Sequence, residues 1–352
     1  MNNKLTILAV VVLIAALIAL SNGLVQAGHV SCGDTLIINT TLDENLTCTD
    51  TPGLIIGASN ITVDLNGFTL TGDPCAKCHG IRNGDIGTSP SFNKVTVRNG
   101  IIDGFEQGIR AQGSPGGTEL KQFTITNVVV RGQTSSSAID IIDSKDVKIE
   151  HSIINIPSGA PDTVEAIRLE SVNGVKVYKV HVVGGAVGVN FGCDPCPDPN
   201  GPTNGEIKNS TFVNNGNGIF LAHTTKAKVE NNVVTGSGGT AVLVGLKCFV
   251  GTFPAITNVE ILKNVVSNNE AAGITLCTAD NSKVIENIVT GNGGRGIRLL
   301  GDSPGDKSIN NIIEKNIAFG NTAEDMFHAF ASTPNTWVNN TCGTKSGADI
   351  DC

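Results

Sequence analysis

Aromatic side chains are scarce: one tryptophan, one tyrosine and twelve phenylalanines stand among 352 residues. Sugar rings commonly stack on such surfaces, so little of an aromatic platform is expected. Charged residues make up only 16% of the chain, and their balance of −8 excludes both a basic nucleic-acid footprint and attraction to anionic membranes. Beyond residue 20 no long apolar run recurs, so no second membrane segment is expected. Helical periodicity is missing from almost every segment. What is abundant instead is Val, Ile, Thr and Asn, with 42 glycines, a composition of strands joined by tight corners.

The first thirty residues bear on the compartment. Asn2, Asn3 and Lys4 precede the apolar run "LTILAVVVLIAALIAL", then the polar "SNGLVQA", with small residues Val25 and Ala27 where a signal peptidase reads. Residues 1–27 are therefore expected to be a secretory signal peptide, although a retained anchor has the same beginnings. All ten cysteines lie after Ala27, an even number that an oxidising compartment turns into disulfides. The expected localisation is secreted or extracytoplasmic, in a periplasm or on a cell surface, without membrane insertion after cleavage.

Self-similarity organises the rest. The segments "NGVKVYKVHVVGGAVGVN", "GEIKNSTFVNNGNGIFLA", "NVEILKNVVSNNEAAGITL" and "SKVIENIVTGNGGRGIRLL" align as one unit. Each is a short alternating strand, a corner, a second apolar pair, a Gly/Asn corner, and a third strand of the form G-I-x-L. Three short strands per turn describe a coil of parallel strands whose rungs stack about 4.8 Å apart. Asn232, Asn264, Asn287, Asn316 and Asn340 recur at one place in the unit, with Ser210 before them. Asn215, Ser237, Asn269, Asn292 and Asn321 recur five residues later. These columns fit amide ladders along the axis, or simply Asn tolerating a corner.

With those repeats the sequence resembles the right-handed parallel β-helix proteins of the pectin-lyase-like superfamily, in particular secreted NosD-type proteins built from short β-helix repeats. The opening "CGDTLIINTTLDENLTCTDTPGLIIGASNITVDLNGFTLTG" is similar to the group's N-terminal cap and first rungs, and "NTWVNNTCGTKSGADIDC" to its closing rung. The resemblance spans roughly residues 31–352 and implies an all-β, single-domain solenoid of about ten rungs. Residues 28–58 form the cap, 59–341 the parallel β-helix and 342–352 a disulfide tail. It implies little about activity, because the superfamily hosts lyases, hydrolases, epimerases, adhesins and inert surface proteins.

Solenoid ends need covering, so Cys32–Cys48 and Cys342–Cys352 are expected to staple them. Cys248 and Cys277 belong to adjacent rungs and are expected to pair. Four cysteines remain in "CAKC" and "CDPC", about four rungs apart. That separation is too far for a shared zinc or a cross-bridge, so Cys75–Cys78 and Cys193–Cys196 are expected to close locally. "CAKCHG" also has the C-x-x-C-H spacing of covalent haem attachment. A packed β-helix offers no apolar chamber for a porphyrin, and a haem is not expected.

The third strands carry the candidate site. Their outward positions read Arg82, Arg110, Asp140, Arg168, Gly188, Phe220, Leu243, Thr275 and Arg298, with Gln112, Glu170 and Asn190 two residues on. Arg110, Asp140, Arg168 and Glu170 thus fall within three adjacent rungs, beside insertions such as "GSPGGTEL", "FGCDPCPDPNGPT" and "GLKCFVGTFPAIT" that could wall a groove. One reading is lyase or epimerase chemistry, arginines neutralising a uronate while a carboxylate or arginine handles a proton. The other is a plain charge ladder on an exposed sheet. The paired-aspartate and Gly-His-Gly motifs of polygalacturonases and the Asp-Pro-His-Glu motif of alginate epimerases are absent from the chain. Tyr178, His151 and His181 are expected on the first and second strands, away from this column, and His223 in a loop after a third strand.

Asp194, Asp198 and Asn200 offer oxygen ligands for Ca²⁺, beside Pro and Gly that equally describe a turn; no other metal or cofactor is expected, and no His/Met copper constellation is present. Asn39, Asn45, Asn60, Asn209 and Asn339 sit in N-x-S/T sequons, relevant only in a glycosylating host. Together these features point to a monomeric secreted or surface protein that is glycan-interacting or structural, without evident catalysis. A polysaccharide lyase or C5-epimerase on acidic glycans is the alternative, and an accessory protein for assembling a periplasmic or surface complex a third.

Overall fold

The computed structural model describes residues 25–26, 29–75, 78–84, 90–113, 119–192, 203–245, 256–301, 307–329, 334–347 and 349–352. Among these there is no helix, and thirty-five strands join one nearly closed sheet whose pairings are parallel throughout. The chain winds as a right-handed parallel β-helix, the coil of parallel strands that the repeat describes with the hand that the resemblance implied.

Alternation builds the core. One inward column of the first strands runs Val97, Ile125, Ile149, Val177, Ile207 and Val229, each paired with the next. The third strands stack Ile81, Ile109, Ile139, Ile167, Val189 and Ile219 in the same way. All of these are buried. Side chains that alternate about the strand put one set into the tube and leave the other for the surface.

Corners are the costly part of each turn, because left-handed backbone disfavours most L-residues. The corner before the first strand is left-handed at Gln122, Asp146, Gly174, Asn204, Lys226, Asn258 and Asn281. The corner after it repeats at Asn127, His151, Lys179, Asn209, Asn231 and Lys263. Asn and Gly tolerate this conformation best; Lys, His and Gln accept it here because the rungs on either side fix the corner.

Buried asparagines then satisfy the corner backbone. Asn264 takes one rung as an example: its amide N–H and Nδ2 donate to Asn287 Oδ1 at 2.9 and 2.9 Å, and Nδ2 also donates to the Val229 carbonyl at 3.0 Å. Its own Oδ1 accepts from the Asn232 amide at 2.9 Å. The column continues through Asn316 to Asn340, and a second runs from Ser237 through Asn269 and Asn292 to Asn321. Both are amide ladders. A third, Ser282–Asn311–Asn335, stands immediately before the first strands; its sequence signal is Ser or Asn preceding "KVI", "IIE" and "TWV", a column not singled out in the sequence.

Strands Thr35–Leu36, Asn39–Thr41, Leu46–Cys48 and Leu54–Ile56 pair in register with the turns that follow. Cys32–Cys48 and Cys342–Cys352 are disulfides at the two ends, each with Cα atoms 5.6 Å apart, and Cys75–Cys78 closes its corner at 5.2 Å. Cys277 is also disulfide-bonded; Cys248, Cys193 and Cys196 lie outside the described residues, as do residues 1–24.

Candidate functional site

The third-strand face has a fixed outward order. Arg82, Arg110, Asp140, Arg168, Asn190, Phe220, Leu243, Thr275 and Arg298 lie side by side in register. One position differs from the sequence reading: Asn190, not Gly188, stands beside Arg168. Gly188 lies two residues earlier in the same strand and faces inward, where a Cβ would meet the Gly218 carbonyl at 2.5 Å and the Phe212 ring at 2.9 Å. Glycine is required there by close packing, and the strand's register moves by two. Gln112 and Glu170 lie in a second outward column, separated by Ile142.

Arg110, Asp140, Arg168 and Glu170 do come together. Asp140 is fully buried although its position points outward, because its neighbours fold over it. Its Oδ2 accepts from Arg110 Nη1 at 2.9 Å and Gln107 Nε2 at 2.8 Å, and its Oδ1 lies 3.6 Å from Arg168 Nη1. Arg110, with a side chain only 15% exposed, also donates to Gln107 Oε1 at 3.1 Å and Gln112 Oε1 at 2.7 Å. Arg168 pairs with Glu170 and is 39% exposed. Asp140 and Arg110 thus form a floor, and Arg168 and Glu170 the accessible layer above it.

A groove of about 420 Å³ opens over that layer. Arg168, Glu170 and Glu165 form its charged side, Asn190, Asn217 and Phe220 continue it down the helix, and Ser135, Ser136 and Thr163 form its rim. The rim comes from the corner segments before two third strands. The insertions expected as walls fall mostly at 114–118, 193–202 and 246–255, outside the described residues, and so do Asp194, Asp198 and Asn200.

Glu165, Asn217 and the Ser135, Ser136 and Thr163 rim were not singled out in the sequence, and Phe220 was read there only as an outward position of the column. Glu165 precedes the buried pair Ala166 and Ile167, so its outward direction depends on the corner and not on alternation. Burial pushes its carboxyl above the usual range, Asp140 and Glu170 add to this, and the Asn190 amide and Arg168 pull against it. Asn190 Nδ2 donates to Glu165 Oε1 at 2.8 Å.

The remaining candidates sit elsewhere. Tyr178 packs edge-on to His151 at 5.6 Å, with Lys176 and Lys179 over its ring at 4.6 and 5.2 Å. A second groove, of about 500 Å³, lies along the first-strand corner and carries Lys148, Lys176 and Lys228 with Glu206 and Glu260. Its charges are largely met by protein partners, Lys176 by Glu150 at 2.6 Å, Lys228 by Glu230 at 3.0 Å and Lys283 by Glu260 at 3.2 Å. That pattern keeps a face soluble. Asp73, Cys75 and Cys78 bring ligand atoms within 4.8 Å of one another, but the two sulfurs are bonded to each other.

The family model described as right handed beta helix region matches residues 83–253 and, overlapping, 198–349. The chain belongs to the right-handed β-helix family. Among solved β-helix structures, the A-module of the mannuronan C-5 epimerase AlgE6 of Azotobacter vinelandii superposes with a TM-score of 0.69 at 14% identity, covering 90% of this chain and 87% of that one. The tailspike of E. coli bacteriophage HK620, in complex with a pentasaccharide, gives 0.53 at 14% identity, covering 90% of this chain and 60% of the tailspike. The Dettilon tailspike gp208 gives 0.53 at 16%, covering 87% and 61%. At these identities the likeness is one of fold. A search of curated proteins finds no match.

Proposed function

We propose that this β-helix is a secreted or surface protein that binds a glycan in the third-strand groove, without catalysis of its own. The observation that carries the reading is the groove itself, where hydroxyl and amide side chains stand beside the half-buried Phe220. Sugars are held by this combination of an aromatic face and directed hydrogen bonds. The fold neighbours support it, one being named for an epimerase of mannuronan and another holding a pentasaccharide. The full burial of Asp140, and the three protein acceptors that hold the mostly buried Arg110, favour binding over chemistry. Residues 1–27 serve as the export signal, 28–58 cap the solenoid, 59–341 form the β-helix and 342–352 the disulfide tail; the exported chain acts as a monomer. Among the described residues no helix is long and apolar enough to cross a membrane.

A glycan array with the purified exported protein tests the reading. Retained glycans are the expected result, with Phe220→Ala weakening them by about tenfold, the loss of one aromatic contact. Pectate, alginate and glycosaminoglycans should yield neither the ultraviolet absorbance of an unsaturated uronate nor, by NMR, epimerised residues. Turnover in either assay would replace the reading with the lyase or epimerase.

A further inference from the structure

We infer that the groove selects an uncharged, hydroxyl-rich glycan and discriminates against uronates and other anionic sugars, an inference that rests on the glycan-binding reading above. The reason is that, among the described residues, both guanidiniums at the site are already engaged by the protein. Arg110 spends Nη1 on Asp140 Oδ2 at 2.9 Å and on Gln107 Oε1 at 3.1 Å, and Nη2 on Gln112 Oε1 at 2.7 Å. Arg168 is held by Glu170 on one side and faces Asp140 Oδ1 at 3.6 Å on the other.

Charge arithmetic gives the consequence. In the floor Arg110 and Asp140 cancel. In the accessible layer Arg168 and Glu170 cancel, and Glu165 contributes nothing when protonated and one negative charge when ionised. The groove is therefore neutral or negative in either state, on a chain that carries −8. A uronate entering it would lose hydration and meet carboxylates with no free cation among the described lining residues to replace the water, an expensive transfer. A neutral sugar meets no such penalty. Its hydroxyls find the short polar side chains of Ser135, Ser136, Thr163 and Asn217, and its C–H face finds Phe220.

The same geometry says how the preference is made. Glu170 occupies the face of Arg168 that a ligand carboxylate would need. Removing its charge leaves Arg168 with only Asp140, which Arg110 already neutralises, and so exposes one net positive charge on the groove wall that should relax the exclusion.

The test uses an array of neutral and acidic glycans, followed by calorimetric titration with matched pairs: an oligogalacturonate and an oligomannuronate, each against its carboxyl-reduced counterpart. The wild-type protein is expected to bind neutral array members, and the reduced form of any accepted backbone at least about tenfold tighter than the uronate. Glu170→Gln, checked for folding by circular dichroism, should narrow that ratio by about tenfold by admitting the uronate. A wild-type protein that binds uronates as well as or better than the reduced sugars overturns the inference and leaves glycan binding standing. An unchanged ratio in folded Glu170→Gln overturns the role of Glu170 as the excluding group. If no glycan is retained at all, the glycan reading falls and this inference with it.

Discussion

Asn287 shows what one side chain does in this fold. Its Oδ1 accepts from the Asn264 amide and Nδ2, both at 2.9 Å, while its own Nδ2 donates to the Ile261 carbonyl at 2.8 Å and to Asn316 Oδ1 at 3.0 Å. Asn287→Ala strands those groups where no water reaches them. A loss of about 3 kcal/mol is expected from denaturant unfolding, because a buried donor or acceptor without a partner costs its full desolvation. Asn287→Asp should be no better, since the carboxylate keeps the acceptor but loses both Nδ2 donors. The column containing Asn287 was legible in the sequence because its spacing repeats. Asn190 was misplaced for a related reason: G-V-x-F around Gly188 admits two registers, and only contact with Phe212 and Gly218 selects one.

At the scale of the element, a ladder must end somewhere, and the second one ends on Asp325. This buried carboxylate accepts the Asn321 amide at 3.0 Å and Nδ2 at 2.8 Å through Oδ1, and the Gly343 and Thr344 amides at 3.1 and 2.9 Å through Oδ2. Burial alone would raise its pKa, but the amide donors outweigh it and hold the carboxyl below the usual aspartate range. The folded pKa lies below the unfolded one, so this stability is fully present above about pH 4 and is lost as pH falls through the folded value. The native chain should lose stability in acid below that point, measured as a falling denaturant midpoint. Asp325→Asn should start less stable at neutral pH and show a flatter acid limb; an equally steep limb would remove Asp325 as its source. Sequence alignment found Asn321 as the end of its column but not the residue that closes it, because Asp325 lies four positions on in the same turn.

For the whole molecule the problem is open ends. A solenoid holds each rung only by its neighbours, so the outermost turns unravel first unless fastened. Cys32–Cys48 and Cys342–Cys352 fasten them, with sequence separations of 16 and 10. Replacing Cys342 and Cys352 together by serine should cost about 3 kcal/mol by the loop-closure argument. Hydrogen exchange should then rise first at residues 336–346, while protection around Ile207 and Val229 stays. Uniform loss of protection along the chain would show instead that the solenoid unfolds as one unit.

The fold was written into the sequence, because alternation, corner residues and amide columns are local patterns that repeat every turn and reinforce one another. The first two disulfides followed from that, since a repeat has identifiable ends. The site was only half legible. Arg110, Asp140, Arg168 and Glu170 could be brought to one face by counting strands. Counting could not say that Asp140 is buried and that both arginines are already neutralised. Nor could it say that Glu165, Asn190 and Phe220 share one groove with a serine and threonine rim. Those facts depend on how side chains from neighbouring turns lean over one another, and on corners whose path is set by packing. Charge compensation is a property of distances in space, and the distances exist only once the coil has closed.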